Sequence, residues 1–447
     1  MIRVRAVSVI LVAILACPSL VEAARLTDVL DAANGKNDPI DFTMSVDFKQ
    51  EFEWAMITRE RNTLSSLEKM MLNQNEFSYK AVKNQIIVNG AVGLYHDLEF
   101  HIKMPISVSE TYTGSMSGHW RDKFWGGEYS TAPISQQSRS ELTPGPSLLT
   151  DRVFGFASWK TVHSGFGDMT IGFSYAPLSE ERDEMWPSWV VTLDMQLPTG
   201  PEQKPKMDPA ASSLLKGTAS GIGVGEKLFS FIFATAISKR AGVADPYFGM
   251  HYKAPIAVGG LIGDPRHEGG FLLGTEIVAY EEIPSNTKEP EWKVAFDLRL
   301  STTLYGKGQN FNEITDALAW RKDKDNDASN TFWPIDPRGS ATSPHVYYYY
   351  PGGRAAAYEL PTEGRYAYIE GLVGFYATIY HYLLLKAECA VGHRTEHFLS
   401  LPESVDSYTL RPLPSDGYHT QINEVGARVK KEKSLVVAYT LTIGLTY

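Results

Sequence analysis

Three things are scarce in this 447-residue chain. Cysteine occurs only at Cys17 and Cys389, so no disulfide framework can hold the fold. Basic runs are missing and the formal net charge is -10, which excludes the usual electrostatic footprint of a nucleic-acid binder. Long apolar runs are missing beyond the N-terminus. The nearest, Leu372 to Leu385, is interrupted by Gly374 and His381 and falls short of the roughly 18 to 20 residues of a membrane helix. Charged residues make up 21% of the chain, while aromatics reach 12%, with 23 tyrosines.

The N-terminus has the parts of an export signal. Arg3 and Arg5 precede the apolar stretch Ala6 to Cys17, and Val21-Glu22-Ala23 offers a small-residue cleavage site before Ala24. Residues 1–23 are therefore expected to be a signal peptide. Cys17, in ILAC, offers the alternative of a lipoprotein cysteine, against which Leu15 fits poorly. Residues 24–39 are expected to form a short periplasmic segment, with a helix from Arg25 to Gly35 capped by Thr27.

From residue 40 to 447 the dominant pattern is period two. In Ile40 to Ile57, the residues Phe42, Met44, Val46, Phe48, Phe52, Trp54 and Met56 share one phase. Asp41, Asp47, Lys49, Glu51 and Glu53 share the other. A strand this long exceeds the soluble norm of about five or six residues and suits a tilted membrane strand with extra length outside. Leu98 to Val108 and Trp292 to Tyr305 alternate in the same way. Thr63 to Leu72 is expected to be helical, and Pro201 to Gly217 a polar loop. Tyr418 to Lys430 is expected to pair with the last strand through the turn KKEK. About thirteen strands emerge, but barrels of this kind have even numbers. A further strand near Arg152 to Lys160 favours 14, with 12 as the alternative. The expected fold is all-β, a transmembrane antiparallel up-and-down barrel with long extracellular loops at 113–162 and 306–364.

The final stretch, LVVAYTLTIGLTY, alternates without a break and stops on Tyr447. It resembles the closing strand of a bacterial outer-membrane barrel, where a C-terminal aromatic belongs to the assembly signal. SGFGDMTIGFSYAPL (Ser164 to Leu178), WVVTLDMQLPTG (Trp189 to Gly200) and GLYHDLEFHIKMPI (Gly93 to Ile106) resemble outer-membrane proteins of the meta-pathway of phenol degradation type. Those are related in kind to long-chain fatty acid transporter barrels. The resemblance covers roughly Gly93 to Ile256 and the last strand. It implies an outer-membrane channel for small, hydrophobic or aromatic molecules, with outer-membrane lipid and the barrel-assembly machinery as partners.

Short motifs for other chemistry are incomplete. HRTEH, His393 to His397, has zinc-protease spacing, but that chemistry needs a helix. Here the segment ends a strand, with both histidines expected on one face. Asp323, Asp325 and Asp327 have calcium-loop spacing, but Ala328 and Pro334 stand where glycine and glutamate are needed, leaving only a weak calcium candidate. His163 and Ser164 point to opposite sides of a strand, so they form no nucleophilic pair. The chain is expected to have no cofactor and not to be an enzyme.

The polar phases carry the sharper expectation. Charges on the lipid face cost roughly 2 to 4 kcal/mol for a mid-bilayer Lys or Arg. Asp41, Asp47, Glu51, Glu53, Glu99, His101, Lys103, Asp194, Lys293, Asp297 and Arg299 are therefore expected to face the lumen, laced by ion pairs. Two functions fit: a channel for small molecules, or a non-transporting barrel that serves as scaffold or partner subunit of an envelope complex.

Overall fold

A strand inside lipid must have its backbone paired on both sides, which only a closed sheet provides. The chain meets this condition. The computed structural model describes residues 41–65, 68–95, 97–116, 158–180, 185–203, 208–210, 213–259, 262–282, 291–311, 360–380, 382–400 and 428–446, with a few isolated residues besides. Nineteen strands lie among them. They are β1 (Phe42–Ser65), β2 (Glu68–Tyr95), β3 (Leu98–Met116), β4 (Ser158–Phe166), β5 (Met169–Leu178), β6 (Ser188–Leu197), β7 (Asp208–Ala210), β8 (Ser213–Ile222), β9 (Leu228–Ser238) and β10 (Ala244–Ala257). Next come β11 (Glu268–Glu282), β12 (Trp292–Tyr305), β13 (Gly308–Gln309), β14 (Thr362–Glu363), β15 (Tyr366–Ile379), β16 (Leu383–Arg394), β17 (His397–Ser400), β18 (Val429–Lys431) and β19 (Ser434–Thr446).

Twelve strands form the ring, all antiparallel: β1, β2, β3, β5, β6, β9, β10, β11, β12, β15, β16 and β19. The ring closes where β19 pairs with β1, from Thr43 opposite Thr446 to Trp54 opposite Leu435. Twelve is the alternative count, and the preferred fourteen is corrected. The strand expected near Arg152 to Lys160 is β4, and it adds no stave of its own. β4 and β5 pass along β3 in succession: Ser158 to Phe166 lies against Ser115 to Ile106, and Thr170 to Tyr175 against Lys103 to Leu98. They are one stave broken at residues 167–168.

The same device recurs. β18 continues β19 along β1, with Ile57 opposite Lys431 and Trp54 opposite Leu435. Two residues of β1 between these pairs therefore face three on the other strand, which is a bulge. KKEK is this bulge and not the expected hairpin turn, and the partners of β19 are β1 and β16. Among the described residues, β18 pairs with β1 and β17. β13, β14 and β17 likewise prolong β12, β15 and β16. Residues 201–217, expected to be only loop, include β7 and the start of β8, and β8 runs parallel to β4.

Connections within the ring are short at one end: 95–98, 178–188, 238–244, 282–292 and 379–383. They are long at the other, apart from β10 to β11 and β1 to β2. There the expected helix at Thr63 to Leu72 is instead ladder, paired to Ser65 opposite Glu68. Strand pairing overrides the helix propensity of Leu, Glu, Lys and Met. Both chain ends of the ring, Phe42 and Thr446, lie at the short-turn end, as an even count requires.

The outer face is apolar. Leu298 is 44% exposed and Leu441 50%, and their strand neighbours Leu300, Phe296, Tyr439 and Ile443 are exposed as well. The intervening residues turn inward. A small apolar cluster of Leu228, Ile262 and Leu360, with Phe311 against it, sits among the elements at the long-loop end.

Candidate functional site: a polar lumen with a cavity at the long-loop end

Alternation puts the charged phase of each strand inside the ring, and the register then decides which charges meet. The first network lies on β10, β12, β15 and β16. Asp297 is 2% exposed, on the phase opposite Leu298. It accepts from Arg299 at 2.7 Å and from the Tyr247 hydroxyl. Arg299 also donates to the Tyr247 oxygen at 3.0 Å. The Tyr376 hydroxyl lies 3.1 Å from Asp297 and 3.2 Å from Glu388, and Lys386 pairs with Glu388 at 2.7 Å. Gly274 on β11 makes room for Tyr247, because a methyl there would meet the phenol oxygen.

The second network lies on β1, β2, β3 and β6. Glu51 faces Lys49 at 3.4 Å and Lys83 at 3.8 Å. Asn89 donates to Asp47 at 3.0 Å. His101 stands between Glu99 at 3.2 Å and Asp194 at 2.8 Å. Gly172 on β5 permits that contact, since a methyl at this position would run into both Asp194 and His101. Lys103 shares the phase of Glu99 and His101 and feels the charges of Asp47, Lys49, Asp194 and Lys386, which come from β1, β6 and β16. Asp41 stands apart from these groups, just ahead of β1, with its carbonyl accepting from the Gly93 amide at 3.0 Å.

The third network sits at the bulges. Glu53 on β1 receives Arg394 of β16 at 2.5 Å, Lys431 of β18 at 2.7 Å and Ser434 of β19 at 2.8 Å. Beside it, Arg266, from the β10–β11 connection, pairs with Glu363 and donates to the Tyr366 hydroxyl at 2.8 Å. Its guanidinium lies 4.6 Å from the Tyr305 ring centre and 5.5 Å from that of Tyr366. Tyr305 stacks on Tyr366, and Tyr366 on His397. Burial works against the charge of Arg266, but Glu363 together with Tyr366, Tyr305 and Glu226 outweighs it and holds the group above its ordinary pKa. Glu53, Arg266, Tyr305, Glu363, Tyr366, Arg394, His397 and Lys431 border an open cavity, which is also lined by Tyr79, Lys83, Tyr112, Gln203, Asn310 and Phe311.

At the short-turn end, Lys293 pairs with Glu276 at 3.2 Å, and both are nearly buried. Thr27, from the N-terminal segment, meets Ser238 at 2.7 Å. Asp245 is 2% exposed, and neither of its carboxylate oxygens has a hydrogen-bond partner among the described residues.

The sequence named Glu53 and the pair Asp297 and Arg299, but it missed the other groups that meet them. Glu276, Lys386 and Glu388 sit on polar phases that the alternation would have yielded. Tyr247, Tyr366 and Tyr376 carried no such signal, because an amphipathic ring fits either phase. His393 is exposed while His397 is buried, so the two do not share a face as expected. Residues 395–396 separate β16 from β17 between them, while the register against the neighbouring strands is the same on either side of that break. Among the described residues no group of three metal-ligating side chains gathers. Asp323, Asp325, Asp327 and Tyr447 lie outside the described residues.

The fold and this charged interior define a closed membrane barrel of the outer-membrane type. No protein-family profile matches the chain, and no curated protein does. Solved structures do. An outer membrane channel from Pseudomonas putida F1 is 11% identical, with 92% of this chain and 99% of that one covered and a TM-score of 0.36. A FadL homologue from Pseudomonas aeruginosa is 6% identical, covering 91% and 90%, with a TM-score of 0.28. The outer membrane protease OmpT from Escherichia coli is 9% identical, covering 94% and 100%, with a TM-score of 0.27. The last corrects one expectation. A protease stands among the neighbours of this barrel, so the architecture does not support the statement that the chain is not an enzyme.

Proposed function

We propose that the chain is an outer-membrane channel that passes small solutes, with the long-loop end outward and the short turns in the periplasm. The observation that carries this reading is the charged inner face of a closed ring, with a polar-lined cavity at its long-loop end. Water-compatible walls suit solutes with polar or ionised groups better than purely greasy ones. The resemblance to barrels of the meta-pathway of phenol degradation type adds aromatic molecules as the cargo class. Within this reading residues 1–23 direct export and are removed. Tyr447 serves the assembly machinery, and the apolar outer face meets outer-membrane lipid.

The test is single-channel recording of the purified barrel in planar bilayers. Discrete, reproducible conductance steps are expected. A second reading, a non-transporting scaffold or partner subunit, is favoured by the long β1–β2 hairpin, whose ladder runs well past the bulge level of the ring. A folded barrel that never conducts, yet copurifies with a surface or periplasmic partner, would replace the first reading with the second.

A further inference from the structure

The apolar outer face carries a basic row at the long-loop end of β2, β3 and β4. Lys80 lies between Tyr79 and Ala81, and Lys160 between Trp159 and Thr161. Those four neighbours are buried, so the alternation turns both lysines outward, and both are exposed. The register aligns them: Lys80 stands opposite Thr113, and Thr113 opposite Lys160. The two lysines are therefore two strand spacings apart, roughly 10 Å. On β1 the row begins at Trp54, which stands opposite Lys80, is 40% exposed and has the Lys80 ammonium 5.9 Å from its ring centre. The next outward residues across the strands are Phe52 and Met56 on β1 and Thr111 and Ser115 on β3, none of them acidic. Neither lysine has a carboxylate partner among the described residues. Further round the seam, Glu396 and Glu432 are held by Lys430 at 3.2 and 3.0 Å. A lysine on the lipid side costs least at the membrane interface, which is the level that an exposed tryptophan such as Trp54 marks. Below the row, towards the short turns, Val108 and Phe166 stand exposed.

We propose that this row docks an anionic, phosphate-bearing lipid headgroup of the outer leaflet. Lys80 and Lys160 reach one phosphate from two sides, and the acyl chains run down the wall that holds Val108 and Phe166. Thr113 spaces the two cations, its hydroxyl donating to the Lys80 carbonyl at 3.1 Å. Uncompensated positive charge at the girdle, with apolar surface directly below it, matches an amphiphile whose ionised group sits at the interface. The site rests on the reading that the long-loop end faces outward, and not on conduction.

The experiment is native mass spectrometry of the full barrel folded in detergent, run beside bilayer recordings. The probes are a bisphosphorylated acyl-disaccharide lipid (lipid A), the same lipid stripped of its phosphates, and phosphatidylcholine. One lipid A per barrel is expected to stay bound. The stripped lipid and phosphatidylcholine are expected to bind at least about tenfold more weakly, because neither offers a net negative headgroup. Lys80→Gln combined with Lys160→Gln is expected to lower lipid A affinity by at least about tenfold, and Lys80→Arg with Lys160→Arg to keep it. Lys433→Gln, exposed at the seam where its charge acts on Glu396, is expected to leave it unchanged. A compact band on unheated gels checks that each variant is folded. The proposal is overturned if wild type retains no lipid A, if the glutamine pair binds it as tightly, or if phosphatidylcholine matches it. A dimer in place of a lipid adduct, dissolved by the glutamine pair, gives this face to a second copy of the chain and overturns it too. If lipid A binds as expected but no current steps appear, the site stands and the channel reading falls. Current steps without lipid A binding do the reverse.

Discussion

Two of the carboxylate clusters inside this barrel look alike on paper and do different work. Glu53 is buried and gathers Arg394, Lys431 and Ser434 from β16, β18 and β19. Those staves lie at the seam where the last strand meets the first. Asp194 and Glu99 flank His101 on the wall formed by β3 and β6 and remain partly open to the lumen. The first cluster ties the ring at its closure, while the second shapes the passage. Burial separates the two roles: a desolvated ion group is costly to break, whereas a half-exposed one is screened.

The largest effect should therefore come from the seam. Glu53→Gln leaves Lys431, 1% exposed, without its carboxylate, and a loss of about 3 kcal/mol follows for breaking one partner of a buried pair. Heat-modifiability on gels reads the folded fraction directly. A variant that keeps its compact band to the wild-type temperature would show that the seam does not depend on Glu53. At the lumen wall, Gly172→Ala places a methyl where Asp194 and His101 meet, and an overpacking penalty of about 1 to 3 kcal/mol is expected. Its sharper readout is a changed unitary conductance with the seam intact. His101→Gln keeps the size and a polar group but not the full pairing, and about 1 kcal/mol or less is expected because the site is partly exposed. If His101→Gln proved as harmful as Glu53→Gln, the division between seam and wall would fail.

The same contrast explains what was legible in the sequence. Glu53, Glu99, Asp194 and Asp297 were expected inside because a charge has nowhere else to go on a strand that crosses lipid. That one constraint gave the barrel class and the inward phase. It said nothing about register, so the meeting of Glu53 with Arg394 and Lys431, more than 300 residues away, was out of reach. The preferred count of 14 gave way to the alternative of 12 for a local reason. A bulge such as that at residues 432–433, or the break at 167–168, interrupts alternation as a turn does, and only the backbone direction afterwards tells them apart. The tyrosines were missed because their rings satisfy both environments.

The one predicted effect of opposite sign concerns Asp245 at the short-turn end. Glu180 and Glu276 act on it unfavourably, and Lys293 and Arg240 favourably. The two cations are committed elsewhere, however: Lys293 to Glu276 at 3.2 Å, and Arg240 to Glu281 at 2.7 Å. A buried carboxylate without a hydrogen bond carries a desolvation penalty that its distant cations only partly offset. Asp245→Asn removes the charge and keeps the shape, so the barrel should gain about 1 kcal/mol of stability. The measurement is the unfolding midpoint in urea for wild type and variant at the same pH, with Glu276→Gln as the counter-case. That second change strips Lys293 of its partner at 3.2 Å and should destabilise. A lower midpoint for Asp245→Asn would mean that this carboxylate is met by a cation from the rest of the chain or from solution. The short-turn end would then resemble the seam, with a compensated charge at its centre.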